Sequence, residues 1–501
     1  MNLQIKIVII FTFIIPSTIF SQNTFFINWN TMNEVSTAGI SEDNEGNLLI
    51  SMTEFSTNNN LKQGELYLFS NHGYIINQRT YNSGDYSGIT CLSKGIVNNT
   101  HLIGYYIDSI LNGHMYHYML IDEINNNFEL IKTNIISNYC DTTGFIRKII
   151  HFSDSSILIL EDLELTNPLE RAAIIKKHNL YDNNQSALMV EDAYMRYPFD
   201  IMLSPQYQKI SLFYSGYIPQ KDNSFSKILD LGYDLQVLQY YETQYRLHFY
   251  SHAKPLNDSI YILSGNCMYE FEPFNPTDAI SVHQMKYSHD TIQGVYYYPE
   301  YPEDTVLYPF SRNNIAINDD NIAISGIYNL NKYQYPTQPE PCWVQLTLFD
   351  HDLNMEKQLY YGDGIKAYYG SDIIATSDGG FAMTGIVYDK YNQTNPQPDL
   401  FVLKVNSEGL MTGNSEMENP AMTEVILWPN PGKEMITVKT AMQLKEATFE
   451  LYNTNGKLCL TESLSAGNTN TINTAALPAG IYPYRIINAS TVVGTGKWVK
   501  E

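Results

Sequence analysis

Seven short apolar runs punctuate the chain between residues 47 and 385, most of them directly after a turn of Asp, Asn, Ser or Gly. They read NLLISM (47–52), HLIGYY (101–106), SILIL (156–160), KISLFYSG (209–216), SIYILSG (259–265), NIAISG (321–326) and GFAMTG (380–385). Measured from the first apolar residue of each (Leu48, Leu102, Ile157, Ile210, Ile260, Ile322 and Phe381), the intervals are 54, 55, 53, 50, 62 and 59 residues. A fixed period of this length marks a repeat architecture. Each run has strand-like companions. GELYLFSNHG (64–73) and YIINQRTY (74–81) follow the first, and SGITCLSKGI (87–96) and GSDIIATSDGG (370–380) precede the second and the seventh. The companions alternate apolar with polar residues, the period of a half-buried strand.

A unit of four short strands in 50–60 residues, repeated seven times, predicts a β-propeller. One four-stranded blade cannot bury both faces, but neighbours stacked in a ring can. The seventh unit has no fourth strand after Gly409, whereas TFFINW (24–29) is a spare one near the N-terminus. The expected ring therefore spans 22–410, with 24–29 as the outer strand of blade seven. A pair of β-sandwiches or a β-helix is the rival architecture. The GGFAMTG…DLFVLKVNSEG pattern (379–409) resembles kelch-like propeller repeats, which implies architecture and no particular activity.

After the aperiodic linker 411–424, strands resume at WPNPGKEMITV (428–438). ATFELYNTNGKLCLTESL (447–464) predicts a hairpin, because Asn455-Gly456 supplies the two positive-φ positions of a type I′ turn. NTINTAALPAGIYPYRII (470–487) and VVGTGKWVKE (492–501) complete a small Ig-like β-sandwich over 425–501. The segment is similar to the type A C-terminal sorting domain of the type IX secretion system. The residues that carry the likeness are Pro429, Asn430 and Pro431; Asn455, Gly456 and Lys457 in the hairpin; Leu477, Ala479, Gly480 and Tyr482; and Lys497, Val499 and Lys500 at the end. The resemblance implies export across the outer membrane, recognition of 425–501 by the secretion machinery, and a final place outside the cell or on its surface. Pro483 departs from the family pattern. A proline cannot donate to a central ladder, so its strand is expected at an edge or at a bulge.

The first 21 residues, MNLQIKIVIIFTFIIPSTIFS, hold one Lys and an apolar core too short to span a bilayer, the pattern of a secretory signal peptide. No other stretch approaches the length of a membrane helix. Five scattered cysteines (91, 140, 267, 342 and 459) form no disulfide framework.

The formal charge of −23 is uneven. Seven Lys or Arg against five Glu make 425–501 +2, which leaves −25 for the remainder. Such a body repels phosphate backbones, so nucleic acid is excluded as a partner. Neutral glycans and proteins remain.

Catalytic signatures are sparse: there is no HExxH, GxSxG or P-loop. His114 and His117 are three apart, which on a strand points them to opposite faces and rules out shared ligation. Asp43 with Glu45, and Asp319 with Asp320, lie in acidic turns that hairpin geometry explains without calcium. No metal or cofactor is expected. Asp141, Asp154, Asp200, Asp258 and Asp372 are the candidate carboxylates for a channel site, with no pair singled out. The aromatic segment VYYYPEYPEDTVLYPF (295–310) reads as an insertion between blades five and six. The expected function is binding of an extracellular glycan or protein; the alternative is a hydrolase or lyase acting on neutral polysaccharide or peptide.

Overall fold

The computed structural model describes residues 24–29, 34–55, 62–81, 86–164, 171–192, 195–218, 223–243, 247–269, 277–297, 307–330, 341–389, 398–411, 425–429, 431–444, 447–453, 458–465, 467–488 and 491–501. The expected signal peptide, most of the linker, and Asn430 and Asn455–Lys457 of the sorting motif lie outside them. The chain divides into two compact units, Met1–Gly413 and Asn414–Glu501.

The first unit is a seven-bladed β-propeller. Blade 1 runs Glu34–Glu42, Leu48–Phe55, Lys62–Phe69 and Ile75–Tyr81, each strand antiparallel to the next. Blades 2 to 5 repeat this order over 86–140, 144–191, 195–242 and 247–297. In blade 6 the first strand is broken into Leu307–Pro309 and Ile315–Ile317. Blade 7 consists of Ala367–Ala375, Phe381–Tyr388, Pro398–Val405 and, outermost, Phe25–Trp29, in register from Phe25 opposite Lys404 to Trp29 opposite Leu400. The first strands touch one another in a closed cycle, blade 7 returning to blade 1.

The periodicities follow from this stacking. Leu48, Ile50 and Met52 pack toward blade 7 with Leu400 and Val402, while Leu49 packs toward blade 2 with Ile103 and Tyr105. A second strand is thus buried on both faces and reads as an unbroken apolar run. Outer strands meet a neighbour on one face only: Ile75–Tyr81 alternates half-buried and exposed residues until Tyr81. One apolar cluster fills each of the seven blade interfaces. The Thr-Gly ending of the seventh run has a packing cause. The Thr384 hydroxyl donates to the Phe401 carbonyl at 2.9 Å, and a Cβ on Gly385 would lie 2.1 Å from the Tyr369 carbonyl.

The second unit packs two sheets. Val425–Trp428, Met435–Leu444 and Gly467–Asn473 form one; Leu458–Leu464, Ala447–Tyr452, Gly480–Asn488 and Thr491–Lys500, in that order, form the other. Ile436, Val438, Phe449, Tyr484, Ile486 and Trp498 fill the space between them. The strand holding Pro483 is interior rather than at an edge. Its pairing with Ala447–Tyr452 covers only Tyr484 to Asn488, so Pro483 sits just past that ladder, opposite Lys497 on the other side. The irregularity in the strand falls later, between Ile486 and Ile487.

Candidate functional site

First-strand bulges aim side chains at the propeller axis. Register shifts fall between Thr37 and Gly39, Ile89 and Cys91, Ile146 and Lys148, Pro198 and Asp200, Phe249 and His252, and Gly370 and Asp372. Six blades therefore carry the extra residue at a matching place, and blade 6 opens its strand there around Arg312 and Asn313. A bulge bends its strand and re-aims the next side chain. The result is a central cavity of about 460 Å³ walled by all seven blades, with Ile40, Cys91, Lys148, Ile201, Lys254, Arg312 and Asp372 from blades 1 to 7.

One of the five candidate carboxylates, Asp372, lines this cavity; Asp200, between the lining residues Phe199 and Ile201 in the chain, is buried and does not. Asp200 is buried, ion-paired to Lys148, and accepts the Ala253 N–H at 2.9 Å with His252 Nδ1 at 3.8 Å. Burial alone would raise its carboxyl, but Lys148 and then His252 outweigh it and hold Asp200 below the usual range. Asp372 accepts the Ile40 N–H at 3.1 Å, and burial pushes its carboxyl up. Lys254 is half-buried, and desolvation together with Lys148 pushes its ammonium down. The Arg312 guanidinium donates to the Thr90 carbonyl at 2.6 Å, and the free Cys91 thiol is pushed by burial to about 11. Asp141, Asp154 and Asp258 are exposed in turns away from the cavity lining.

The acidic turns do local work. Asp43 accepts from the Glu45 and Asn47 amides at 2.8 and 2.9 Å and from the Asn47 and Asn126 side chains at 2.9 and 3.1 Å. In the 318–321 turn it is the Asn318 side chain that accepts from the Asp320 and Asn321 amides. His114 and His117 do face apart: His117 is buried between Asp108 (2.5 Å) and the Gly144 carbonyl (2.7 Å), while His114 is exposed beside Asp141.

A second cavity, about 560 Å³, opens where the outer parts of blades 4 and 5 meet. Tyr207, Tyr241 and Tyr287 wall it, Gln239, Ser259 and Ser288 add polar groups, and Leu238 and Ile292 stand exposed at its edge. Tyr207 lies 5.4 Å from Tyr287 at a tilt of 37°. Beneath it Lys209 Nζ is 2.5 Å from Asp230 and also reaches the Tyr287 carbonyl; Ser211 donates to Asp230 at 2.6 Å, and His289 bridges Asp230 (2.9 Å) and the Tyr261 hydroxyl (2.9 Å). No signal along the chain marks this pocket, because Lys209 and His289 come from different blades. Of the aromatic insertion, 298–306 lies outside the described residues; Tyr296 packs on His283 and Phe310 is fully buried.

Asp230, like Asp200, is depressed: burial raises it, and hydrogen bonds and charge from His289 and Lys209 overcome that. An unfolded Asp titrates near about 3.9, so on acidification the unfolded chain takes up protons before the folded one. The stability these two groups supply is complete above about pH 5 and is lost as pH falls through their folded values. Urea midpoints should decline from pH 5 to pH 3, and Asp230→Asn should flatten that decline. A midpoint constant down to pH 3 would refute the assignment.

In the C-terminal unit the motif residues gather around Trp498. The Pro429 carbonyl accepts the Trp498 indole N–H at 2.9 Å, and the Gly432 amide donates to the Val499 carbonyl at 2.9 Å. Lys500 is buried with its ammonium on the Lys433 carbonyl. Tyr482 is buried, with its hydroxyl on the Pro478 carbonyl at 2.9 Å, and Leu477 packs on the same core. Gly480 lies opposite Lys500, while Pro431 and Ala479 are exposed. Residues 426–501 match the family model described as the secretion system C-terminal sorting domain. This unit is a type IX sorting domain. The protein is therefore a cargo of type IX secretion machinery, secreted or held at the cell surface. Among the described residues no helix is long and apolar enough to cross a membrane.

No curated protein matches the chain in sequence. Solved structures with a similar course include the β-propeller domain of the Trilobed protease from Pyrococcus furiosus (10% identity, 77% of this chain and 100% of that one, TM-score 0.44). Others are the GH93 α-L-arabinofuranosidase of Fusarium graminearum (10%, 78% and 99%, 0.40) and the acylaminoacyl peptidase of Pyrococcus horikoshii (8%, 84% and 60%, 0.42).

Proposed function

We propose that the exported propeller binds an extracellular neutral glycan, and that the tyrosine-walled pocket between blades 4 and 5 is its binding site. That pocket is the observation that carries the reading. Its volume of about 560 Å³ is that of a small-ligand site. Tyrosine faces stack on the apolar faces of sugar rings, and Gln239, Ser259 and Ser288 offer the hydrogen bonds that hydroxyls need. Lys209 and Asp230 beneath offset one another, and Lys286 in the wall adds a further hydrogen-bond donor for hydroxyls.

Incubation of the secreted protein with insoluble neutral polysaccharides tests this, with the protein left in solution and the soluble sugar ends released both measured. Depletion without release is the expected result. Tyr207→Ala combined with Tyr241→Ala should weaken retention about tenfold, the effect of removing two stacking rings. Undiminished retention would move the site elsewhere.

One observation favours the hydrolase alternative: Asp372, on the axial cavity, is pushed up while the buried Asp200 is pushed down, both feel the charge of His252, and carboxyls driven apart in this way can serve as acid and base. Against it, Asp200 is almost fully buried and tied to Lys148 and Ala253, which keeps it from a substrate. Release of sugar ends that Asp372→Asn abolishes would reverse this choice.

A further inference from the structure

We propose that His114, Cys140 and Asp141 form a surface site for a borderline divalent metal ion such as Zn²⁺, with a fourth position open to water. The second and third strands of blade 2, Thr100–Leu111 and His114–Asn125, are the longest among the described residues at twelve residues each. They join through Asn112 and Gly113, with φ of 53° and 83°. Two positive φ values in a two-residue loop make a type I′ turn, which puts His114 first on the returning strand. The fourth strand, Leu130–Cys140, ends alongside, Cys140 opposite Tyr116.

Asp141 then turns with φ of 53° and locks onto the hairpin. Its amide donates to the Met115 carbonyl at 2.8 Å, and its Oδ1 accepts the Met115 amide at 3.0 Å. That double tie leaves Oδ2 directed at the other two groups, 2.8 Å from His114 Nδ1 and 3.7 Å from Cys140 Sγ. One nitrogen, one sulfur and one oxygen thus lie within 4.8 Å of one another.

Tetrahedral zinc bonds of about 2.0–2.3 Å imply ligand separations near about 3.5 Å, so the three atoms need only small side-chain rotations to share an ion. The donor set is mixed imidazole, thiolate and carboxylate, which fits zinc and its neighbours and excludes calcium and magnesium, which take oxygen alone. Without an ion, local desolvation and then the Asp141 carboxylate beside the thiol disfavour the thiolate. A dication reverses this: the thiol proton leaves to solvent as the metal–sulfur bond forms, and no electron moves.

The full secreted protein, kept reduced, would be titrated with Co²⁺ as a spectroscopic stand-in. The expected result is a thiolate-to-cobalt charge-transfer band that saturates at one equivalent and is bleached by Zn²⁺. Cys140→Ser should abolish the band, and Asp141→Asn or His114→Gln should weaken binding by about tenfold or more, as loss of a ligand does. Cys459→Ser, which removes the other exposed cysteine, should leave it unchanged. Zn²⁺ should also slow alkylation of Cys140 in the unmutated chain. No band, or a band that survives Cys140→Ser, overturns the proposal. The three residues are exposed, so the variants should keep the parent's unfolding midpoint, which separates lost ligation from lost fold.

Discussion

Trp498→Ala is expected to unfold the sorting domain and leave the protein inside the cell envelope. The indole is fully buried, donates to the Pro429 carbonyl at 2.9 Å and lies 6.1 Å from the Tyr482 ring. Its removal opens a cavity among Ile436, Tyr482 and their neighbours and takes the indole donor from the Pro429 carbonyl. Truncating a buried Trp costs about 3–5 kcal/mol, and a unit of under 90 residues has little more to lose. Secretion would be read as the fraction of protein reaching the medium or the surface of intact cells. Trp498→Phe keeps most of the volume and loses only the hydrogen bond, so it should be exported at a reduced level. Export of the Ala variant at the parent's level would show that the machinery reads the terminal residues without the folded sandwich.

Lys209→Met is expected to be the most damaging single change at the proposed glycan pocket. It leaves Asp230 buried beside His289 and Ser211 with its nearest cation gone. Breaking a buried pair from one side costs about 3–5 kcal/mol, whereas replacing both partners is often close to neutral. Lys209→Met with Asp230→Asn should therefore recover most of the lost stability in urea titrations. Glycan retention should stay low in the double variant, because Lys209 also holds the Tyr287 carbonyl that fixes one wall of the pocket. A double variant no more stable than the single one would mean that the pair contributes little and that Lys209 acts through its stem.

Much of the architecture was legible because burial geometry writes itself into local composition. The run LLISM is continuous because blade 1 is covered on both sides; IINQRTY alternates because an outer strand is covered on one. The candidate sites were far less legible. Of the five channel carboxylates named from the sequence, only Asp372 lines the axial cavity; Asp200 is buried without lining it, and Asp141, Asp154 and Asp258 lie in exposed turns. Asp200 and Asp372 each follow a first-strand bulge, a one-residue offset between paired strands that no residue type announces, whereas the other three lie in the connections between strands. Pro483 was misjudged for a related reason: whether its missing N–H matters depends on where the neighbouring ladder stops, and Ala447–Tyr452 stops at Tyr484.

By itself the sequence determined the β-rich class, the sevenfold period and the export address, since each is written in short local runs that can be read without knowing their partners. Only the tertiary structure decided which side chains share a space: Lys209 with His289, Lys148 with Asp200, His114 with Cys140 and Asp141. Those partners are 26 to 80 residues apart. Strand pairing and ring closure bring them together, and hydrophobic periodicity carries the face of each strand but not its register against the next.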